Sequence, residues 1–124
     1  MNTDTTATKT PFARDFDRMK DEARVILAGF GDNREPVVLV RLGDFFEAFG
    51  EDAWRLSSIC SLALTRRAGV PMAGIPFHSL DRYAEKLTAA GCVVAVADST
   101  GLPRILTICK LYGVNGETAP ARYL

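Results

Sequence analysis

The sequence is poor in the residues from which most catalytic chemistry is built. Its 124 residues include one histidine, three cysteines and one tryptophan, and fifteen Lys plus Arg are balanced by fifteen Asp plus Glu, for a formal net charge of zero. The single histidine, His78, leaves a His-based triad or metal cluster without partners. Cys60, Cys92 and Cys109 form no CxxC pair, are odd in number and lie in apolar runs. That pattern argues against a metal site or a disulfide framework and predicts a reducing, cytoplasmic setting. The charge balance excludes a basic nucleic-acid coat and an acidic solvating tail, so a polyanion has to be met by a local site. No apolar run reaches membrane-spanning length, and the Thr-rich start lacks a signal-peptide core, so no membrane partner is expected. Phosphate-loop, HExxH and GxSxG patterns are absent as well. We therefore expect no catalytic residue, no metal, no cofactor and no small-molecule substrate. One catalytic alternative stays open, a metal nuclease in which Asp44, Glu47 and Asp98 converge.

What is present is a 48% hydrophobic chain of single-domain length, enough to bury a core. Only four of the fifteen basic residues are Lys (Lys9, Lys20, Lys86, Lys110), so Arg predominates, the side chain suited to phosphate forks and stacking. Thr10-Pro11 is an N-cap followed by proline at the first helical position, and Phe12, Phe16, Met19, Ala23, Ile26, Leu27 and Phe30 recur at helical spacing. This predicts a helix to about Ala28, a polar loop over 31–36 and a strand over 37–42. A second helix is expected around Ala53, Trp54, Leu56 and Ile59, with Glu51 and Asp52 suiting its dipole. Residues 61–67 and 70–75 read as two strands joined at Ala68-Gly69, with Pro71 placing the second at an edge or a bulge.

Ser79 then caps a third helix along Leu80, Tyr83, Ala84, Leu87 and Ala90, ended by Gly91. Residues 92–97 read as a buried strand and 104–111 as a last, alternating one. The order αβαββαββ implies an α/β fold of the mixed α+β kind, a single mixed β-sheet flanked by about three helices. Residues 1–9 are expected as a loose tail, 10–112 as the domain, and 113–124 as a tail that frays. Trp54 and Tyr83 are core candidates. His78 reads first as a packing residue after the Pro76 turn, and Gly74 as a point of close approach.

The stretch Arg41-Leu-Gly-Asp-Phe-Phe-Glu-Ala-Phe49 supports two readings. In an extended chain, alternation points Val38, Val40, Leu42 and Phe46 into the core and Arg41, Gly43, Phe45 and Glu47 the other way. An aromatic ring and a carboxylate then stand side by side, able to press on a base step and meet a base edge. Alternatively, Asp44 caps a helix with Glu47 at its third position and Phe45 in the core, although that helix would run through Gly50.

At this point the residues resemble a family, the N-terminal mismatch-recognition domain of MutS, the DNA mismatch repair protein. Thr10-Pro11 with Phe16, Met19 and Lys20 resembles its opening helix. Gly43-Asp44-Phe45-Phe46-Glu47 with Phe49 and Asp52-Ala53 resembles its signature. Leu64-Thr65-Arg66-Arg67, the run from Pro71 to His78, and Tyr83 with Lys86-Leu87 and Gly91 are similar to later segments. The resemblance covers about residues 10 to 99. Departures are a longer stretch between Lys20 and Arg41, a shorter one between Arg67 and Pro71, and Ser99 where the family has Gln.

The resemblance implies a mixed sheet with surrounding helices. It also implies that Phe45 is the ring that wedges from the minor groove and stacks on a mispaired or unpaired base, that Glu47 contacts that base, and that Phe46 is structural. From the residues themselves, Arg66, Arg67 and His78 are further DNA-contact candidates, Arg66 and Arg67 toward phosphates, the alternative for these two being a solvated basic hairpin tip. In the family, the connector, lever, clamp and ATPase domains follow this one, so no nucleotide site is expected in these residues. The partner implied is double-stranded DNA with a mismatch or bulge, bound weakly, because residues 41–82 balance five arginines (41, 55, 66, 67, 82) against five acids (44, 47, 51, 52, 81). The alternative is an interaction module that meets a repair or replication protein instead, with Phe45 as its anchor.

Overall fold

In the computed structural model, residues 11–100, 105–117 and 122–124 are described. The expected tail over 1–9 and the Thr10 cap lie outside them. Helix α1 (Pro11–Gly29) carries the predicted apolar stripe, with Phe16, Met19, Ala23 and Leu27 buried. Strand β1 (Val37–Leu42) follows, then β2 (Phe45–Phe49), α2 (Glu51–Cys60), β3 (Thr65–Arg67), β4 (Val70–Pro76), a 3-10 turn (Phe77–Ser79), α3 (Leu80–Ala89), β5 (Val94–Thr100), β6 (Ile105–Tyr112), a second 3-10 turn (Val114–Gly116) and β7 (Arg122–Tyr123). The strands form one seven-stranded mixed sheet in the order β3-β4-β2-β1-β5-β6-β7, in which β1 and β5 run parallel and the other neighbours antiparallel.

Two apolar clusters sandwich this sheet. On one face Val37, Leu39, Phe46, Ala48, Ala73, Ile75, Val94 and Val96 pack under α2 and α3, and on the other Val38, Val40, Ala95, Ala97 and Leu111 pack under α1. The predicted single mixed sheet with three helices is the observed fold. The α1 face is tied to α2 by a buried ion pair, Lys20 Nζ to Asp52 Oδ2 at 2.7 Å, with Asp52 also accepting the Val38 N–H at 2.9 Å.

Several local expectations change. β2 is a strand of its own, because Gly43 with φ +60° opens a two-residue turn that folds it back on β1, and Leu42 pairs with Phe45. The helix reading from Asp44 is thereby overturned, and α2 starts only after Gly50. Of residues 61–67 only Thr65–Arg67 is strand; Ser61, at φ +56°, closes α2. Pro71 sits in neither an edge strand nor a bulge. The hairpin closes at Arg67–Val70, so Pro71 belongs to a non-hydrogen-bonded pair and its nitrogen points away from β3, past the last residue of β2, where its carbonyl accepts the Gly50 N–H at 2.9 Å. Ser79 stands at the α3 N-cap without a side-chain capping bond.

Trp54 is 55% exposed. The inner stripe of α2 runs through Asp52, Ala53, Leu56 and Cys60, which puts position 54 on the far side of the helix. Instead of trailing away, the chain after Tyr112 docks: Val114 is buried, the Asn115 N–H donates to Asp32 Oδ2 at 2.9 Å, and Arg34 bridges that carboxylate and the Gly113 carbonyl, each at 2.7 Å. β7 then pairs with Lys110 and Leu111 of β6. Among the described residues, no helix is long and apolar enough to cross a membrane.

Candidate nucleic-acid interface

The two-residue turn decides which way the candidate side chains face. In an uninterrupted strand Leu42 and Phe45 would lie on opposite faces; across the turn they are partners and share one. Phe45, Glu47 and Phe49 therefore stand on the α1 face with Val40 and Leu42, while Phe46 joins Arg41 on the other face. This reverses the pairing expected from alternation, which grouped Phe45 and Glu47 with Arg41. Phe46 is buried, at 5% exposure, as a core ring of the α2 and α3 side.

The same register extends across the sheet. Pairing of Phe45 with Pro76, Glu47 with Gly74, Thr65 with Met72 and Arg67 with Val70 brings all of these to the α1 face. Helix α1 itself packs on β1 and β6. Its Phe16 reaches Phe49 edge-on, with ring centroids 5.3 Å apart. Beyond Phe49 the face lies open: Phe45 is 43% exposed, Thr65 and Arg67 are exposed, and Glu47, Gly74 and Pro76 are half-buried. The opposite face of these strands is closed, with Ala48, Ala73 and Ile75 nearly inaccessible.

Glu47 lies flat on this surface across Gly74. A Cβ at position 74 would stand 2.2 Å from Glu47 Oε1, so the absent side chain is what admits the carboxylate, in keeping with the close approach expected there. Burial against the strand pushes the Glu47 carboxyl above the usual carboxylate range, and the charge of Arg67 opposes that rise.

The remaining candidates do not all converge. Arg66 pairs with Pro71 and faces the side opposite Arg67, its guanidinium returning to the Gly69 carbonyl at 3.0 Å. His78 is exposed in the turn after β4, its ring edge-on to Phe77 at 5.6 Å between centroids. Glu47 and Asp98 lie on opposite faces, since Asp98 pairs with Arg41 at 3.6 Å on the far side. That separation removes the convergence required by the nuclease alternative. Among the described residues, no group of three or more His, Cys, Asp or Glu side chains is placed to hold a metal. Sequence reading missed the joint surface of Thr65, Arg67 and Pro76 with Phe45 and Glu47. The signal for it was two turn glycines, Gly43 and Gly69, which set the register of both hairpins.

Fold and surface together define a small α+β module whose sheet presents one ring and one carboxylate on a half-face left bare by its helices. A family model described as MutS domain I matches residues 10–112, and the chain belongs to that family. The DNA mismatch repair protein MutS of Thermotoga petrophila is 40% identical over 94 residues, covering 76% of this chain and 11% of that protein. The protein of the same name from Petrotoga mobilis is 38% identical over 95 residues, 77% of this chain and 10% of its own length. That of Thermosipho melanesiensis is 48% identical over 65 residues, covering 52% and 8% respectively. The chain thus spans about a tenth of the length of these relatives.

Proposed function

We propose that this module reads distorted double-stranded DNA, seating Phe45 at a mismatched or bulged base step with Glu47 against the displaced base. The bare half-face carries this reading: it offers a ring that is 43% exposed, a half-buried carboxylate beside it and an exposed Arg67 at its margin. A mismatch lowers the cost of unstacking and kinking, a few kcal/mol per step, so an apolar wedge senses deformability itself. Arg67 shares the surface and is assigned to the DNA side. Arg66, facing away, and His78, beyond the strand end, are assigned at most to phosphates flanking the contact. The module is a recognition element rather than a catalyst, and no nucleotide chemistry is assigned to it.

Because the net charge is zero, the phosphate term is small and binding is expected to be about micromolar or weaker and salt-sensitive. Titration of labelled matched and single-mismatch or single-bulge duplexes at low salt tests the reading, with Phe45→Ala as control. Binding of neither duplex, or a mismatch preference intact in Phe45→Ala, overturns it. The same charge balance favours one second reading, a repair or replication protein docked on this half-face around Phe45. A partner captured without nucleic acid, and lost in Phe45→Ala, supports that instead.

A further inference from the structure

Arg41 lies across the sheet from Phe45, yet its contacts converge on the turn that carries that ring. Its Nε donates to the Gly43 carbonyl at 2.5 Å. Its guanidinium carbon stands 4.2 Å from the centroid of the Phe77 ring and 5.6 Å from that of Phe46. On its other side Nη1 is 3.6 Å from Asp98 Oδ2 of β5. Phe77 in turn donates its backbone N–H to the Asp44 carbonyl at 2.8 Å. Both carbonyls of the two-residue turn are therefore held, Gly43 by Arg41 and Asp44 by Phe77, and the two holders stack on each other.

Phe45 is the first residue after that turn and is 43% exposed. A ring pressed against a base step acts as a wedge only if its base does not yield, and the hairpin alone secures one side of it. The planar guanidinium meets three demands at once, a stacking face, an Nε donor and a fork toward a carboxylate, which a lysine ammonium does not. We propose that Arg41 is a positioning residue that, with Phe77, clamps the Gly43–Asp44 turn and holds Phe45 rigid for base-step inspection. The purpose assigned to the clamp rests on the wedge reading of Phe45; the clamp itself is testable in the free protein.

The variants are Arg41→Met, Arg41→Lys, Phe77→Leu and the Arg41→Met/Phe77→Leu double, each checked by thermal melting for an intact fold. In the free protein, amide exchange at Phe77 is expected to rise about tenfold in Arg41→Met while that at Val38 and Val96 stays unchanged, with Arg41→Lys in between. Against DNA, Arg41→Met is expected to keep matched-duplex affinity within about twofold and lose about fivefold of the preference for a mismatched duplex. The double variant should lose little more than the worse single, because both act on one turn. Unchanged exchange at Phe77 in Arg41→Met overturns the clamp whatever DNA does. Faster exchange with full mismatch preference overturns its role in recognition. Equal binding of both duplexes by the unmodified protein overturns the wedge reading and that role with it, and exchange still decides the clamp.

Discussion

Glu47 and Gly74 face each other across β2 and β4 so closely that a methyl group on position 74 would meet the Glu47 carboxylate at 2.2 Å. Space for the carboxylate, and not a left-handed backbone, is what the glycine supplies here. The obstructed group is the end of a flexible side chain, so Gly74→Ala is expected to change stability by no more than about 0.5 kcal/mol. It should swing the carboxylate into solvent and lower its titration midpoint toward that of an ordinary glutamate. NMR titration of the Glu47 carboxyl, beside a thermal melt, checks both.

Burial raises the Glu47 carboxyl above its unfolded value, with Arg67 pulling the other way. A raised folded value means that Glu47 contributes stability below the ordinary Glu range, and that this contribution is lost as pH rises through the folded value. Urea unfolding followed from about pH 4 to pH 7 should therefore carry a Glu47 component of that sign, absent in Glu47→Gln. Arg67→Ala should raise the Glu47 midpoint further.

The β3–β4 hairpin turns through Ala68 at φ +50° and Gly69 at φ +80°, the type I′ pattern, with an alanine where glycine or asparagine is favoured. Relieving that strain with Ala68→Gly is expected to stabilise the protein by about 0.5–1 kcal/mol. Gly43→Ala, at φ +60°, should cost about 1 kcal/mol and loosen the turn that bears Phe45. Chemical denaturation of the two variants gives the opposite signs directly.

Lys20 and Asp52 form a pair with side chains 13% and 3% exposed. Burial pushes the Asp52 carboxyl up, against the pull of Lys20 and the Val38 N–H. Lys20→Met leaves that carboxyl without its ammonium and is expected to cost about 3–5 kcal/mol. Lys20→Met/Asp52→Ala should recover part of the loss, since the stranded charge goes with the aspartate; denaturation midpoints decide.

Local physics made the elements readable from the sequence. The stripe from Phe16 to Leu27, the β-branched run at 37–42 and the Ala68-Gly69 turn carry their conformations in neighbouring residues, and the run from Gly43 to Glu47 carried the family resemblance. What local reading could not deliver was orientation. Alternation along 41–47 assumes an unbroken strand, and the two-residue turn at Gly43-Asp44 shifts that parity, moving Phe45 and Glu47 to the α1 face and Phe46 to the other. Trp54 was misplaced because its helix is oriented by the partners of Asp52 and Leu56, far along the chain. The docking of residues 113–117 likewise depends on Asp32 and Arg34, about eighty residues upstream.

By itself, then, the sequence determined the helices, the main strands, a mixed-sheet fold and a ring–carboxylate pair, all properties of spacing within a few residues. Only the tertiary structure decided that this pair lies on a bare half-face with Arg67, that Arg66 turns away, and that the Glu47 carboxylate rests on Gly74. Those outcomes depend on strand register and on which helix covers which face, and both are set by contacts between residues distant in the chain.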